Sequence, residues 1–226
     1  MELRRMMLPI EKLLSPEDLA QVRAELAEIP FQNGRATAGP VARTVKANDQ
    51  ADLNHPRVQA LETFVQDALW RHPAFEPATR PARLSRLLFS RYRPGQTYGP
   101  HTDDALMGQA GNRLRADIAF TLFLAEPDSY EGGALTISSP AGEQAVKLAA
   151  GDAIVYPAGT IHYVAPVTGG ERLACVGWVQ SLLRDAGQRE ILFDLAMARN
   201  RLSGAREDVL LLDKTISNLL RMWAQL

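Results

Sequence analysis

The feature that most constrains the fold is a succession of short β-type segments between residues 83 and 180. Runs rich in β-branched and aromatic residues alternate there with glycine, proline, asparagine and aspartate. This pattern predicts strands near 83–93, 114–124, 133–138, 143–148, 152–156, 162–167 and 171–180. Many short strands at this spacing are typical of a sandwich, a jelly roll or a barrel. Because no long helical pattern interrupts them, a doubly wound α/β sheet is disfavoured.

Helical patterns flank this β region on both sides. Before it, Ser15 and Asn54 are the expected caps of two helices, the second of which ends at His72. After it, apolar residues at helical spacing predict one helix that ends near Ser203 and a last helix over 209–223. The predicted fold class is therefore mainly β with flanking helices.

The chain accordingly divides into three parts. Residues 1–80 form an N-terminal helical and β support layer, residues 81–180 form the β core, and residues 181–226 form a C-terminal helical unit. The last unit is too small to bury a core of its own. We therefore expect it to pack on the β core or on a partner.

Composition and charge exclude several classes of protein. A formal net charge of -1 gives no support for a surface that binds nucleic acid or an anionic membrane. No apolar run approaches the roughly 18 residues that a membrane span needs, and we expect no signal peptide. The single cysteine, Cys175, rules out an intrachain disulfide and is predicted to be a small buried core residue. A reducing cytoplasm is the simplest compartment.

The stretch RYRPGQTYGPHTDD contains His101 and Asp103, which point to the same side of an extended segment. On its own, such a pair arises by chance in many proteins. His162, near the start of a later predicted strand, adds the third ligand of a metal site. Two histidines and one carboxylate leave three facial positions open on an octahedral iron, as in non-haem Fe(II) oxygenases. Zinc more often takes three or four His or Cys ligands. The other histidines, His55 and His72, precede prolines at helix edges, and we expect them at the surface.

Arg172 stands at the head of the predicted strand RLACVGWVQ, just after Gly169-Gly170. One interpretation is a surface arginine near a turn. In the other, its guanidinium points inward and holds one end of a dicarboxylate in a bidentate pair. Alternation places Ala174, Val176 and Trp178 on the same face, where an apolar lining makes a lone arginine costly. A buried arginine there needs an anion, and a ligand carboxylate is the candidate.

With these residues in view, the stretch from Tyr92 to Trp178 resembles the prolyl-4-hydroxylase-like branch of the Fe(II)/2-oxoglutarate dioxygenases. The matching pieces are RYRPGQTYGPHTD, RADIAFTLFLAEP, YEGGALTI, GDAIVYPAGTIHYVAPV and GGERLACVGWVQS. More narrowly, the whole chain is similar to the bacterial PKHD-type hydroxylases in length, in the approach to the HTD motif and in the helical C-terminal tail. The resemblance implies a double-stranded β-helix (jelly-roll) core with a small C-terminal helical unit.

The resemblance also implies roles for individual residues. His101, Asp103 and His162 would ligate iron, and Arg172 would pair with the C5 carboxylate of 2-oxoglutarate. Tyr92 matches a tyrosine that hydrogen-bonds the cosubstrate in related enzymes. Its alternative role is that of a strand tyrosine packed in the core.

Further positions match the family less directly. Tyr98 and Trp178 match residues near the iron and the substrate entrance, and a packing role is the alternative for both. Gly132-Gly133 matches a glycine pair whose role is backbone geometry. Where related enzymes often have a tyrosine, this chain has Phe123 followed by Leu124. The source of a second polar contact to the cosubstrate carboxylate is therefore left open.

The implied reaction uses one Fe(2+) per subunit, with 2-oxoglutarate and O2 as cosubstrates and L-ascorbate as reductant. It couples decarboxylation of 2-oxoglutarate to succinate with C–H hydroxylation of an unidentified small-molecule or peptide substrate. We expect no nucleic-acid or membrane partner, and a homodimer through the helical tail. One alternative is a non-catalytic iron or 2-oxoglutarate sensor on the same barrel. Another is a cupin-like metal isomerase or binding protein, although such proteins usually lack the His-x-Asp…His…Arg set in this order.

Overall fold

A computed structural model describes residues 7–109, 111–140, 142–202 and 206–225 of the chain. Its strands are β1 (Leu8–Ile10), β2 (Phe31–Asn33), β3 (Lys46–Ala47), β4 (Asp49–Ala51), β5 (Pro81–Leu84), β6 (Leu88–Tyr92), β7 (Thr97–His101), β8 (Leu106–Met107), β9 (Leu114–Arg115), β10 (Ile118–Phe123), β11 (Tyr130–Gly132), β12 (Leu135–Ser139), β13 (Gly142–Val146), β14 (Ala153–Pro157), β15 (His162–Val164), β16 (Val167–Gly170) and β17 (Arg172–Ser181). Its α-helices are α1 (Pro16–Ala27), α2 (Pro56–Arg71), α3 (Phe75–Thr79), α4 (Ala186–Arg201) and α5 (Arg206–Trp223).

The strands form two principal antiparallel sheets. The larger sheet has eight strands in the order β1-β14-β10-β17-β6-β4-β2, with β5 beside β17. The smaller sheet has five strands in the order β13-β12-β15-β7-β3. Two further pairs, β11 with β16 and β8 with β9, complete the β structure of the described residues. The prediction of a mainly β fold with flanking helices is confirmed.

Alternation along the strands divides the core into two clusters. On β10, Phe120 and Leu122 point toward the helices and pack with Val22 of α1 and Val65 of α2. The neighbouring Phe123 points the other way, into a second cluster between the two sheets. Since successive side chains of a strand face opposite sides, one buried strand can serve both clusters. The free thiol of Cys175 lies in the helix-side cluster, as predicted.

The first two helices begin at prolines. The Ser15 side chain accepts a hydrogen bond from the Asp18 amide, which confirms the predicted cap of α1. The prediction of Asn54 as the cap of α2 is wrong: His55 caps it, and its Nδ1 accepts from the Arg57 amide. Pro56 takes the first helical position, so the residue directly before it has the extended conformation that a cap requires.

Each of the seven predicted strand regions contains a strand, but three of them are interrupted. The region 83–93 splits into β5 and β6 because the Leu87 amide donates to the carboxylate of Glu62 on α2. The region 114–124 splits into β9 and β10, and the region 162–167 contains β15 and only the first residue of β16. The strands β1 to β4, β7, β8 and β11 were not predicted. All seven have five residues or fewer, and β3 and β4 are largely polar.

The two C-terminal helices form a hairpin against the β core. Leu192 of α4 is fully buried, and the Gln225 amide donates to the Leu182 carbonyl. By contrast, no described side chain of α5 is buried. The helix end predicted near Ser203 lies outside the described residues. Within the described part of the chain, the structure contains no helix long and apolar enough to cross a membrane.

Candidate active site

Three predicted metal ligands converge at the edge of two neighbouring strands. His162 on β15 is the register partner of His101 on β7, and Asp103 follows β7 directly. The potential ligand atoms of these three residues all lie within 4.8 Å of one another. His162 Nε2 is 3.8 Å from Asp103 Oδ1, a separation that one shared metal ion can span.

Backbone carbonyls hold both imidazole rings in place. The Nδ1 of His101 lies 2.8 Å from the Gly99 oxygen, and the Nδ1 of His162 lies 2.9 Å from the Thr160 oxygen. A carbonyl oxygen only accepts, so each Nδ1 carries a proton and each Nε2 is the nitrogen available to a metal. Such outer hydrogen bonds fix the tautomer and orientation of metal-binding histidines.

The electrostatics of the cluster suit a cation. Burial lowers the pKa of His101 to about 4, so its ring is neutral at pH 7. Burial raises the pKa of Asp103, whose Oδ2 has no hydrogen-bond partner among the described residues. A buried carboxylate with an orphaned oxygen is costly unless a cation compensates it. Two imidazoles and one carboxylate are a donor set that fits Fe(II).

Arg172 is buried on the larger sheet. It is 2% exposed and begins β17, as the register partner of Tyr92 on β6. Its guanidinium carbon lies 5.2 Å from the Tyr92 ring centroid and 5.6 Å from that of Phe123. No carboxylate of the described residues lies within ion-pair distance, and its Nε lacks a hydrogen-bond partner. The inward orientation inferred from alternation is therefore confirmed, and an anion is what this guanidinium lacks.

A second polar group lies beside this arginine. The Tyr130 side chain is 3% exposed, and its hydroxyl completes no hydrogen bond within the described structure. Burial raises the pKa of Tyr130, while the neighbouring Arg172 guanidinium opposes the rise. Sequence reasoning missed this residue, although it opens the YEGGALTI stretch that carries the family resemblance.

Tyr98 and Trp178 both lie at the metal ligands. The Tyr98 ring stacks on His101, with centroids 3.7 Å apart and planes at 17°. The Trp178 indole nitrogen is buried without a hydrogen-bond partner and lies beside Asp103, where it opposes the burial-driven rise in the pKa of that carboxyl. Tyr98 therefore both packs against a predicted metal ligand and lines the site.

One cavity of about 1030 Å³ joins these groups. It is large enough for a cosubstrate and a small organic substrate together. Its lining also contains Lys46 of β3, Gln50 of β4 and Asn48 between these strands, which sequence reasoning missed. The three polar residues stand at every second position of the sequence, but such a pattern normally marks the exposed face of a strand. The sequence-predicted residues that line the cavity are Tyr92, Tyr98, His101, Asp103, His162, Arg172 and Trp178.

The remaining histidines have structural positions. His55 and His72 lie at the two ends of α2, and both are partly exposed at the surface. The Nδ1 of His72 accepts from the Ala74 amide. Gly132 and Gly133 both have positive φ, at 68° and 64°, which confirms their role in backbone geometry.

Known proteins are similar to this chain in sequence and in fold. Residues 87–180 match the family described as the 2OG-Fe(II) oxygenase superfamily. A PKHD-type hydroxylase of Maricaulis maris is 49% identical over 223 residues, which cover 97% of this chain and 100% of that protein. A PKHD-type hydroxylase of Synechococcus elongatus is 47% identical with the same coverage.

Solved structures at lower identity show the same architecture. A prolyl-4-hydroxylase of Pseudomonas putida matches with a TM-score of 0.51 at 21% identity, over 77% of this chain and 92% of that chain. The α-ketoglutarate-dependent carbocyclase SnoK matches with a TM-score of 0.59 at 16% identity, over 79% and 81%. These likenesses confirm the predicted jelly-roll core. At nearly half identity over almost its whole length, the chain belongs to the PKHD-type hydroxylases of the 2OG-Fe(II) oxygenase superfamily and is an Fe(II)- and 2-oxoglutarate-dependent dioxygenase.

Proposed function

We propose that His101, Asp103 and His162 hold the iron of this hydroxylase and that Arg172 binds the C5 carboxylate of 2-oxoglutarate. The assignment of the iron ligands rests on the convergence of three potential ligand atoms within 4.8 Å of one another. The buried guanidinium without a carboxylate partner supports the second. When bound, the iron supplies the oxygen chemistry that couples decarboxylation of 2-oxoglutarate to succinate with hydroxylation of a C–H bond.

The chain itself binds, orients and shields the reactants. The carbonyls of Gly99 and Thr160 keep both Nε2 atoms directed at the metal. The Tyr92 hydroxyl faces the same cavity as Arg172, where it donates to the cosubstrate. L-Ascorbate serves as the reductant that restores ferrous iron, and the enzyme works in the cytoplasm.

Substitutions at the four residues test these assignments. His101→Ala and His162→Ala are expected to lose bound iron and succinate production, since each removes one of three ligands. Arg172→Ala is expected to keep iron but to weaken 2-oxoglutarate binding. Metal content, a 2-oxoglutarate titration and succinate release measure the three effects, with the exposed Arg71→Ala as control. Parental succinate release in a histidine variant would refute the iron assignment, and an unchanged 2-oxoglutarate requirement would refute the role of Arg172.

A non-catalytic sensor on the same barrel is not favoured. The relatives are hydroxylases, and the ligand set and Arg172 are intact. A sensor would bind iron and 2-oxoglutarate without turnover. Substrate-dependent release of succinate therefore separates the two functions.

The substrate is a small molecule or a peptide, and an untargeted search for products heavier by one oxygen atom would identify it. The reaction mixture would contain iron, 2-oxoglutarate and ascorbate. Neither nucleic acid nor membrane is a proposed partner, in keeping with the formal net charge of -1.

We also propose a homodimer through the C-terminal helices. The apolar face of α5 includes Leu212, Ile216 and Trp223, which remain partly exposed after packing against α4. A second copy of the chain would cover this face. Size-exclusion chromatography with light scattering should give a dimer for the parent and a monomer for Ile216→Glu. The control Lys214→Glu, on the exposed face, should remain dimeric. A monomeric parent would refute the proposal.

A further inference from the structure

We propose that Lys46 binds a carboxylate of the primary substrate beside the iron site, so that the enzyme acts on an organic acid. The inference rests on the proposed function. Lys46 lies on β3, where it is the register partner of Tyr98 on β7. It is 3% exposed and lines the cavity that contains the metal ligands. It thus lies one strand away from His101.

The Lys46 ammonium is held in position but has no counter-ion. Its Nζ donates to Thr37 Oγ1 at 2.9 Å and lies 5.0 Å from the Tyr98 ring centroid. The Thr37 hydroxyl donates in turn to Gln50, whose amide donates to Ser90. No carboxylate of the described residues lies within ion-pair distance of Nζ. An ammonium has three donors, so this environment leaves capacity for an anion.

Asn48 provides a second, independent indication of a ligand. It is 3% exposed and lines the same cavity, on the same side of the extended segment as Lys46. Neither its amide nitrogen nor its amide oxygen completes a hydrogen bond of good geometry within the described structure, although the amide adjoins the Tyr92 hydroxyl and opposes the burial-driven rise in the pKa of that group. Buried amides are normally satisfied, so both atoms are available to a bound molecule. An ammonium and an amide N–H side by side form a suitable site for a carboxylate.

When iron and 2-oxoglutarate are bound, the other charges of the site do not neutralise the positive charge of Lys46. Ferrous iron, Asp103, dianionic 2-oxoglutarate and Arg172 together carry no net charge. Lys46 belongs to the smaller sheet and lies over the Tyr98 ring, which stacks on His101, whereas Arg172 belongs to the larger sheet. Lys46 therefore lies toward the metal, away from the site proposed for the C5 carboxylate. A buried cation that the cosubstrate does not neutralise requires an anion from the other reactant.

The remaining charged residues of the lining do not fill this need. Asp104 is exposed and lies against Gly39. Arg86 pairs with Glu62. Arg83 is exposed and donates to the Arg113 carbonyl and the Asn112 side chain. Arg83 provides a matched control, because it is a cation of the same cavity outside the buried pair of Lys46 and Asn48.

Binding of simple acids tests the proposal without knowledge of the natural substrate. The protein is saturated with Zn(II), as an inert substitute for iron, and with 2-oxoglutarate. Ligand-observed NMR then compares small fragments supplied both as carboxylates and as matched primary amides. The parent and Arg83→Met are expected to prefer carboxylates. Lys46→Met is expected to lose about 10-fold or more of this affinity, the effect of one charged hydrogen bond, and Lys46→Arg is expected to retain part of it.

Three results would overturn the proposal: equal binding of acids and amides by the parent, no binding of either, or an undiminished preference in Lys46→Met. A 2-oxoglutarate titration separates the two possible sources of the carboxylate. If Lys46→Met weakened 2-oxoglutarate as strongly as Arg172→Ala does, Lys46 would serve the cosubstrate and the proposal would fail. If the parent protein itself did not bind 2-oxoglutarate, the proposed function would fail instead. The 2-oxoglutarate titration also verifies that Lys46→Met is folded.

Discussion

At the scale of single residues, the surroundings of Arg172 include a tyrosine hydroxyl that the sequence did not reveal. Phe123 occupies the position where related enzymes often have a tyrosine, and its ring contributes only an aromatic face to the guanidinium. Tyr130 reaches the same guanidinium from β11. Its buried, unpartnered hydroxyl is therefore placed to donate a second hydrogen bond to a carboxylate held by Arg172.

Tyr130→Phe is expected to weaken 2-oxoglutarate binding by about 2- to 10-fold, the effect of one neutral hydrogen bond. Iron content should not change, because Tyr130 is not a ligand. Isothermal titration of the metal-loaded protein with 2-oxoglutarate measures the change. The control Tyr163→Phe removes a hydroxyl that donates to Glu143 and should bind 2-oxoglutarate normally. Equal affinities in both variants would rule out a cosubstrate contact for Tyr130.

Residues with distinctive chemistry in short motifs could be predicted, and the others could not. His101, Asp103 and His162 were found because metal binding needs particular side chains at particular spacings. Lys46 and Tyr130 have no such signature. Their proposed roles depend on burial and on neighbours from other strands, and no local pattern encodes those contacts.

At the scale of secondary-structure elements, α2 contributes more than apolar packing. Its Glu62 is buried, accepts from Arg86 and from the Leu87 amide, and so anchors the bend between β5 and β6. This bend precedes the strand that carries Tyr92. A carboxylate on a helix thus determines where a cavity-lining strand begins.

Glu62→Ala is expected to lower the free energy of unfolding by about 2 to 3 kcal/mol, since it leaves a buried amide without an acceptor. Urea denaturation followed by circular dichroism measures the loss. The control Glu25→Ala breaks an exposed pair with Arg57 and should cost roughly 0.5 kcal/mol or less. Equal losses in the two variants would show that Glu62 has no anchoring role.

The β11–β16 pair depends on a glycine that no other residue can replace without strain. Gly132 has a φ of 68°, and an added Cβ would overlap the Pro166 carbonyl oxygen. Gly95 has a similarly positive φ of 86°, but open space surrounds its Cβ position. The two positions therefore share the conformational penalty and differ in the steric one.

Gly95→Ala is expected to cost about 1 to 2 kcal/mol from the left-handed conformation alone. Gly132→Ala should cost clearly more, because the backbone at Pro166, just before β16, must also move. Thermal unfolding of the two variants in parallel measures the difference. Similar transition temperatures would indicate that the β11–β16 pair absorbs the added methyl group easily.

Element prediction succeeded in the seven regions that lie between clear turn signals, and it failed mainly at strands of two or three residues. Strand β7 is a longer strand that was also missed, because Gly99 and Pro100 interrupt its pattern. Strands β2, β3 and β4 span only two or three residues each. They form because neighbouring strands offer hydrogen-bond partners, which is tertiary information absent from local sequence.

At the scale of the whole molecule, the site lies between the two sheets. The smaller sheet contributes the histidines, and the larger sheet contributes Arg172 and Tyr92. Several buried polar atoms without partners cluster there, on Asn48, Asp103, Tyr130, Arg172 and Trp178. A metal and a dicarboxylate would satisfy many of them, so ligand binding should stabilise the entire fold.

Mn(II) with 2-oxoglutarate, each at about 100 times its dissociation constant, should therefore raise the unfolding temperature. One saturating ligand at that excess contributes about 2.7 kcal/mol, which corresponds to roughly 5 to 10 °C for a chain of this size. Differential scanning calorimetry measures the shift. Arg172→Ala should keep the increment from the metal and lose the increment from 2-oxoglutarate. An equal response of both proteins would place the cosubstrate elsewhere.

The position of these orphaned atoms between the sheets also bears on how long the protein survives in a cell. Proteases cleave chains that open transiently. The open form becomes rarer as the free energy that holds the two sheets together increases. The ligand-free form, with its unsatisfied polar groups at the junction, should open more often than the loaded form. Cellular abundance of the enzyme would then follow the supply of iron and 2-oxoglutarate, and a shortage of either would shorten its lifetime as well as stop its reaction.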